Sequence, residues 1–265
     1  VPGNDAKHYT LGVLPLQKGM YSCRASEELP VDITRQVTDK GNVQRVTVVI
    51  KALENVYFNY GEQVKTGYRH TDCQFYMPGF WYRRNLRSPK EAPSFHTSDS
   101  WLVREDRLST PLTTAFNPVS GKSMSVIRID KFDKDALTTH KEGEVILSGE
   151  TSIGYTGFQN VEGMTVLAYG FPYKEAPKTY IRKLTLAPAV EAFQLLRKGE
   201  SISLTWELSE RDAADFSECV QRTWEYCYDT NRPKPVDTPY TVERMKEVMS
   251  NFFVESYVDL SLIHI

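Results

Sequence analysis

Long apolar runs are missing from this 265-residue chain. No stretch approaches the roughly 20 residues that a helix needs to cross a bilayer, so no membrane span is expected. An excess of one charge sign is missing too. Lys and Arg total 32 against 34 for Asp and Glu, a formal net charge of −2. No global basic field draws in nucleic acid, and there is no acidic tail. Cysteine is scarce, at four residues, and no two of them form a CxxC pair, which removes zinc-ribbon and thioredoxin-like chemistry. Cys219 and Cys227 fall about two turns apart on one predicted helix, roughly 12 Å at 1.5 Å per residue. That is too far for a disulfide; Cys23 with Cys73 is the pairing left open. The chain has no GxSxG elbow, no P-loop, no GxGxxG fingerprint and no HExxH. His8, His70, His96 and His140 are scattered and default to surface or satisfied structural roles. No catalytic residue, metal site or cofactor follows from these patterns.

What the chain has is an ordinary globular balance, 40% hydrophobic and 25% charged, with many aromatics: 15 Tyr, 12 Phe and 4 Trp. A β-sandwich consumes aromatics in its core, so this is a fold signal before it is a binding signal. Short alternating or β-branched runs dominate up to about residue 208: Tyr9 to Leu16, Val31 to Thr38, Val43 to Leu53, Ser123 to Ile129, Glu144 to Leu147 and Thr165 to Tyr169. The clearest is Ser201 to Leu208, apolar at even positions and polar at odd ones, the pattern of a half-buried strand. Turn residues separate the runs at Asp39 to Asn42, Asn117 to Gly121, and Glu162-Gly163. Many short strands filling most of the chain predict a large antiparallel β-sandwich rather than a small barrel.

The period changes after Leu208. Ser209 with Asp212 fits a capping box, and Ala213, Phe216, Val220, Trp224 and Cys227 mark one helical face. Asn231 and Pro233 stop this helix, and Pro233, Pro235 and Pro239 stiffen the connection. Thr238 or Thr241 caps a second helix whose apolar positions are Val242, Met245, Val248, Met249, Phe252 and Phe253. The predicted organisation is a β-sandwich domain over 1–208 and the first hairpin of a truncated helical domain over 209–259. The terminal Leu260 to Ile265, LSLIHI, has no turn or polar close. Read back into codons it matches the transposon end used in preparing sequencing libraries, so 260–265 is expected to be a processing scar. Val1 is not a start methionine, and any signal peptide is expected to have been removed or to lie upstream.

Two segments are denser in chemistry than the rest. In the first, the Pro78-Gly79 turn sits inside an aromatic run, with Trp81, Tyr82, Arg83 and Arg84 directly after it. Phe75 and Phe80 are assigned to the core. For the other four, two readings stay open: the exposed end of a strand pair, or an aromatic face with planar charged forks that stacks on and hydrogen-bonds a sugar ring. In the second, alternation puts Trp101 and Val103 on one face and Leu102 and Arg104 on the other. Glu105 and Asp106 lie between Arg104 and Arg107, as a local salt-bridge network or as a polar patch that orients a ligand. Adjacent carboxylates on a strand face opposite ways and make a poor acid–base pair.

FYMPGFWYRRNLRSPKEAPSF from Phe75 and SWLVREDRLSTPL from Ser100, together with a β domain followed by helices, resemble large bacterial six-hairpin glycosidases, in which a β-supersandwich precedes an (α/α)6 toroid. The resemblance implies the N-terminal part of a glycoside hydrolase that acts on a polysaccharide or oligosaccharide, with two carboxylates flanking the scissile bond. It implies a periplasmic or secreted location, contact between the β domain and a toroid, and substrate contacts from Trp81, Tyr82, Arg83, Arg84, Trp101 and Arg104. A non-catalytic carbohydrate-binding or scaffolding sandwich and a polysaccharide lyase are the alternatives.

Overall fold

The computed structural model describes residues 7–11, 14–85, 93–129, 145–148, 151–175, 178–180, 185–187, 189–232 and 239–256. The LSLIHI run at 260–265, Glu144, His140, Thr238 and the prolines at 233 and 235 lie outside the described residues. The strands are β1 (Leu14–Gln17), β2 (Met20–Cys23), β3 (Val31–Lys40), β4 (Val43–Ala52), β5 (Val56–Phe58), β6 (Tyr60–Arg69), β7 (Gln74–Met77), β8 (Trp81–Arg83) and β9 (Trp101–Arg104). They continue with β10 (Leu112–Asn117), β11 (Lys122–Arg128), β12 (Val145–Ser148), β13 (Tyr155–Val161) and β14 (Met164–Phe171). The last are β15 (Lys174–Glu175), β16 (Lys178–Tyr180), β17 (Thr185–Ala187), β18 (Val190–Leu196) and β19 (Ser201–Asp212). Two helices follow, α1 (Phe216–Asn231) and α2 (Val242–Glu255).

The protein is mainly β, with large antiparallel sheets and C-terminal helices, as the alternating runs predict. The main sheet has nine strands in the order β1-β2-β3-β4-β19-β11-β10-β7-β8. A four-stranded sheet, β6-β14-β13-β9, shares its core. A smaller sheet, β12-β18-β15 with β5 also on β18, contains one parallel pair, β12 with β18. Between the first two sheets lie Val46, Val48, Ile50, Leu204 and Trp206 from one side and Phe158, Leu167 and Tyr169 from the other. The three turn segments named above close the β3–β4, β10–β11 and β13–β14 hairpins.

On the opposite face of the nine-stranded sheet, α1 packs Phe216, Cys219 and Cys227 against Tyr76, Leu112, Phe116 and Ile127. This explains why every residue of β10 is buried: a strand covered on both faces has no solvent side. All four cysteines are free thiols, so Cys23 and Cys73 are not bridged. Burial pushes the Cys73 thiol up to about 11 and the Cys227 thiol up to about 12.

Two sequence expectations are corrected here. Ser209 and Asp212 do not cap a helix. Both belong to β19, which runs on past Leu208 because β11 supplies partners as far as the Lys122–Asp212 pair. The helix cap lies six residues beyond Ser209, where the Asp215 carboxylate accepts from the Glu218 N–H at 2.8 Å and Glu218 accepts from the Ala214 N–H at 2.5 Å. The first bond is the N-cap half of a capping box; the second reaches one residue further back, to the residue before the cap. Trp224 is not on the buried face of α1. It is 57% exposed and stacks on Tyr228, while Thr223 takes the inward position. One compact unit runs from Val1 to Asn231 and holds α1 together with the strands.

The second unit, Arg232–Ile265, has α2 as its described element. Thr241 is the N-cap and accepts from the Arg244 N–H at 3.2 Å. None of its 14 residues is buried, including Met245, Met249, Phe252 and Phe253. Isolated helices shorter than about 12–15 residues are marginal in water. Amide exchange of α2 is therefore expected to be far faster than that of β19, and equal protection of the two would show that α2 is covered.

His70 opens the short 3-10 turn after β6. Its Nδ1 lies 3.0 Å from Thr165 Oγ1 and its Nε2 2.7 Å from the Asp99 carbonyl oxygen. The ring stacks on Phe95. Burial lowers its pKa below the usual histidine value, against the opposing pull of Asp99. The unfolded chain takes up the proton first, near pH 6.5. His70 stability is thus fully present above that pH and is lost as pH falls through the folded value. Thermal melts are expected to show a drop in Tm below about pH 6.5 that His70→Gln abolishes.

Candidate functional site

The aromatic segments fold into the core first. Met77 to Phe80 forms a turn closed by the Phe80 N–H donating to the Met77 carbonyl at 3.0 Å. Pro78 supplies the second position and Gly79, at φ +80°, the third, as a type II turn requires. A β-carbon on Gly79 would also stand 2.7 Å from Ser109 Oγ. The turn sends β8 back along β7 with Met77 opposite Trp81.

The six residues singled out from the sequence do not form one site. Trp81 and Trp101 are fully buried, their ring centroids 5.4 Å apart. The Trp81 Nε1–H donates to the Arg83 carbonyl at 2.8 Å and the Trp101 Nε1–H to the Ser98 carbonyl at 2.7 Å. Both rings lie within the core between the sheets. Gly157 on β13 fixes this packing from behind, because a β-carbon there would overlap the Trp101 carbonyl. Arg84 clamps a loop, donating to the Cys73 and Thr71 carbonyls with its guanidinium over Phe95. Arg83 takes a left-handed conformation, φ +57°, and lies over the Phe216 ring of α1. Tyr82 is 51% exposed, packs against Tyr76 and accepts from the Gly79 N–H at 3.2 Å.

Arg104 is the one that edges an open depression. This hollow, of about 540 Å³, is lined by Phe80, Arg104, Asp106 and Arg107. The strand β9 ends at Arg104 and passes into a single 3-10 turn, Glu105–Arg107. The turn separates the neighbouring acids. Glu105 points inward, where Oε2 accepts from Arg128 Nη1 and from the Gly154 N–H at 2.8 Å. Asp106 points outward, and its two oxygens receive Arg104 Nε at 2.9 Å and Nη2 at 2.6 Å. Arg107 makes a second two-point pair, Nε to Glu175 Oε1 at 2.6 Å and Nη2 to Oε2 at 3.0 Å. Glu175 also accepts from the Arg104 N–H at 3.1 Å. The Arg104 guanidinium lies 4.3 Å over the Tyr173 ring, and Phe80 meets the edge of Trp101.

Chemically, the depression offers donors and acceptors side by side on rigid planes. Its carboxylates are each held on both oxygens by guanidinium groups, an arrangement that positions a ligand rather than moving protons. Sequence reading left Glu105 and Asp106 between Arg104 and Arg107 as a local salt-bridge network or a ligand-orienting patch. Within the segment Arg104 pairs with Asp106, while Arg107 pairs with Glu175 and Glu105 with Arg128. The same reading assigned Phe80 to the core and missed Glu175, which joins from 68 residues away. No local pattern announces such a partner.

No protein-family model and no curated protein matches the chain. Among solved structures it is similar to a galactose mutarotase related enzyme from Lactobacillus acidophilus, at 9% identity and a TM-score of 0.42, covering 77% of this chain and 72% of that one. It is similar to a galactose mutarotase-like protein from Lactobacillus casei, at 10% identity and a TM-score of 0.39, covering 77% of this chain and 74% of that one. A candidate aldose 1-epimerase from Klebsiella pneumoniae shows 9% identity and a TM-score of 0.42, over 84% of this chain. The chain spans 57% of that protein and 65% of a Synechocystis protein. None of these is a six-hairpin glycosidase, and the described residues hold two α-helices and no toroid. The six-hairpin assignment is therefore corrected, and with it glycoside hydrolysis.

The packing yields a direct test. Trp81→Ala and Trp101→Ala are each expected to lower stability by about 3–5 kcal/mol, as large core truncations do. Tyr82→Ala is expected to cost about 1 kcal/mol or less. Urea unfolding monitored by circular dichroism measures all three.

Proposed function

We propose that the chain is a non-catalytic carbohydrate-binding β-sandwich module whose binding face is the Phe80–Arg104–Asp106–Arg107 depression. The observation that carries this reading is the outward Arg104–Asp106 pair beside the Phe80 ring. A sugar hydroxyl both donates and accepts, so a guanidinium and a carboxylate fixed side by side satisfy vicinal hydroxyls together. The Phe80 ring supplies an apolar surface for the C–H face of a pyranose. The second pair, Arg107–Glu175, holds the depression in shape before a ligand arrives, which reduces the ordering cost of binding. The sugar-related names of the similar structures agree with this reading and do not carry it.

Calorimetric titration of the whole chain with a panel of neutral mono- and oligosaccharides tests the proposal. At least one saccharide is expected to bind. Arg104→Ala and Asp106→Ala are expected to weaken it about tenfold or more. The Tm of Asp106→Ala is expected to change little, since Asp106 is exposed and such a pair contributes at most about 1 kcal/mol to stability. Phe80→Ala should weaken binding as well. Absence of binding across the panel, or affinity untouched by both polar substitutions, overturns the reading.

A further inference from the structure

A second cleft, about 450 Å³, opens at one end of the main sandwich, and the register of the strands explains its chemistry. Along β19 the core-facing residues are Leu204, Trp206 and Leu208; the same alternation carries Glu210 and Asp212 beyond them. On β11, Val126 and Met124 face the core, and Lys122 follows. On β4, Val46 is followed outward by Gln44. Leu208 pairs with Gln44, Met124 with Glu210, and Lys122 with Asp212. The inner face of the sheet therefore changes from apolar to charged within one residue pair. Val64 of β6 lines the cleft from the other sheet.

The charges on this shelf are not paired with one another. Lys122 and Asp212 stand directly opposite across an antiparallel ladder, where unlike charges ordinarily meet. Neither their side chains nor that of Glu210 makes an ion pair or hydrogen bond among the described residues. Tyr68 lies two positions past Thr66 on the Val64 face of β6. It is only 8% exposed, and its hydroxyl has no hydrogen-bond partner among the described residues. Burial raises this phenol to about 12, and Glu210 is the next largest influence on it, with Asp212 contributing. A buried hydroxyl without a partner is destabilising.

We propose that this cleft binds a small zwitterion of the α-amino-acid class. The ammonium group would sit with Glu210 and Asp212, and the carboxylate with Lys122. An apolar side chain would rest on Val64, Met124 and Leu208. A ligand with both charges completes the two sides of the open Lys122–Asp212 pair at once, which a neutral sugar or a simple ion does not. The site shares no residue with the carbohydrate-binding depression, so the two proposals stand or fall separately.

Titration of the whole chain by saturation-transfer NMR and calorimetry tests it, with L-leucine, L-methionine, 4-methylpentanoate, isoamylamine and galactose as probes. Leucine or methionine is expected to bind, and the probes lacking the amine or the carboxylate to bind at least about tenfold more weakly. Lys122→Met and Asp212→Asn are each expected to lower amino-acid affinity about tenfold or more while Tm stays unchanged. Val119→Ser, on an exposed turn, should leave affinity intact. Absence of binding by both amino acids, equal affinity for the singly charged probes, or affinity unaffected by either substitution overturns the proposal. So does galactose competing for these residues.

Discussion

Everything in the larger unit depends on where β19 is placed. It is the last of the described strands, yet it sits in the middle of the nine-stranded sheet, with β4 on one side and β11 on the other. Its two faces hold different layers. Trp206 points inward, with ring centroids 5.2 Å from Tyr169 and 6.3 Å from Tyr60 of the second sheet. Glu207, the next residue, points outward to accept from Arg45 Nε at 2.8 Å and Nη2 at 2.6 Å, and from the hydroxyl of Tyr226 on α1. A slip of one residue would exchange these faces, placing a carboxylate in the apolar core and an indole under the helix. The register is fixed from both sides at once.

The same logic recurs where the two sheets meet. Glu62 on β6 receives Arg35 of β3 on both oxygens, at 3.0 Å each, and also the hydroxyls of Tyr60 and Tyr169, at 2.7 and 2.9 Å. Burial first, and the Glu62 charge second, push both phenols well up, so they remain donors. A buried carboxylate is costly unless its lone pairs are filled, and here the partners come from three strands, β3, β6 and β14. Such a tie is weak evidence for net stability, but it specifies which strands face one another. The Arg104–Asp106 edge inherits that rigidity through β13, which lies between β9 and β14.

The β class was legible because alternation is a local property. Ser201 to Leu208 announces one buried face, and Leu204, Trp206 and Leu208 occupy it. The end of that strand was not legible. Ser209 and Asp212 satisfy the spacing of a capping box, and only the partner strand β11, far away in sequence, decides that they extend a ladder instead. The aromatic segment after Pro78 was misleading for a related reason. Trp81 and Trp101 beside turns and arginines look the same in sequence whether the rings stack on a ligand or on one another. Of the predicted contacts, Arg104 edges the depression because its strand ends there, and Glu175 entered through tertiary pairing alone. The six-hairpin resemblance rested on the same two segments, whose composition reflects core packing as much as ancestry.

The free cysteines give the fold an internal set of reporters. Cys73 lies in the layer between the two sheets, and Cys219 and Cys227 lie between the main sheet and α1. With thiols pushed to about 11 and about 12 at Cys73 and Cys227, very little reactive thiolate exists near neutral pH. Alkylation at these positions therefore waits on opening of the layer that covers each one. The order in which they become modified reads out whether the helix lifts from the sheet before the sandwich itself parts.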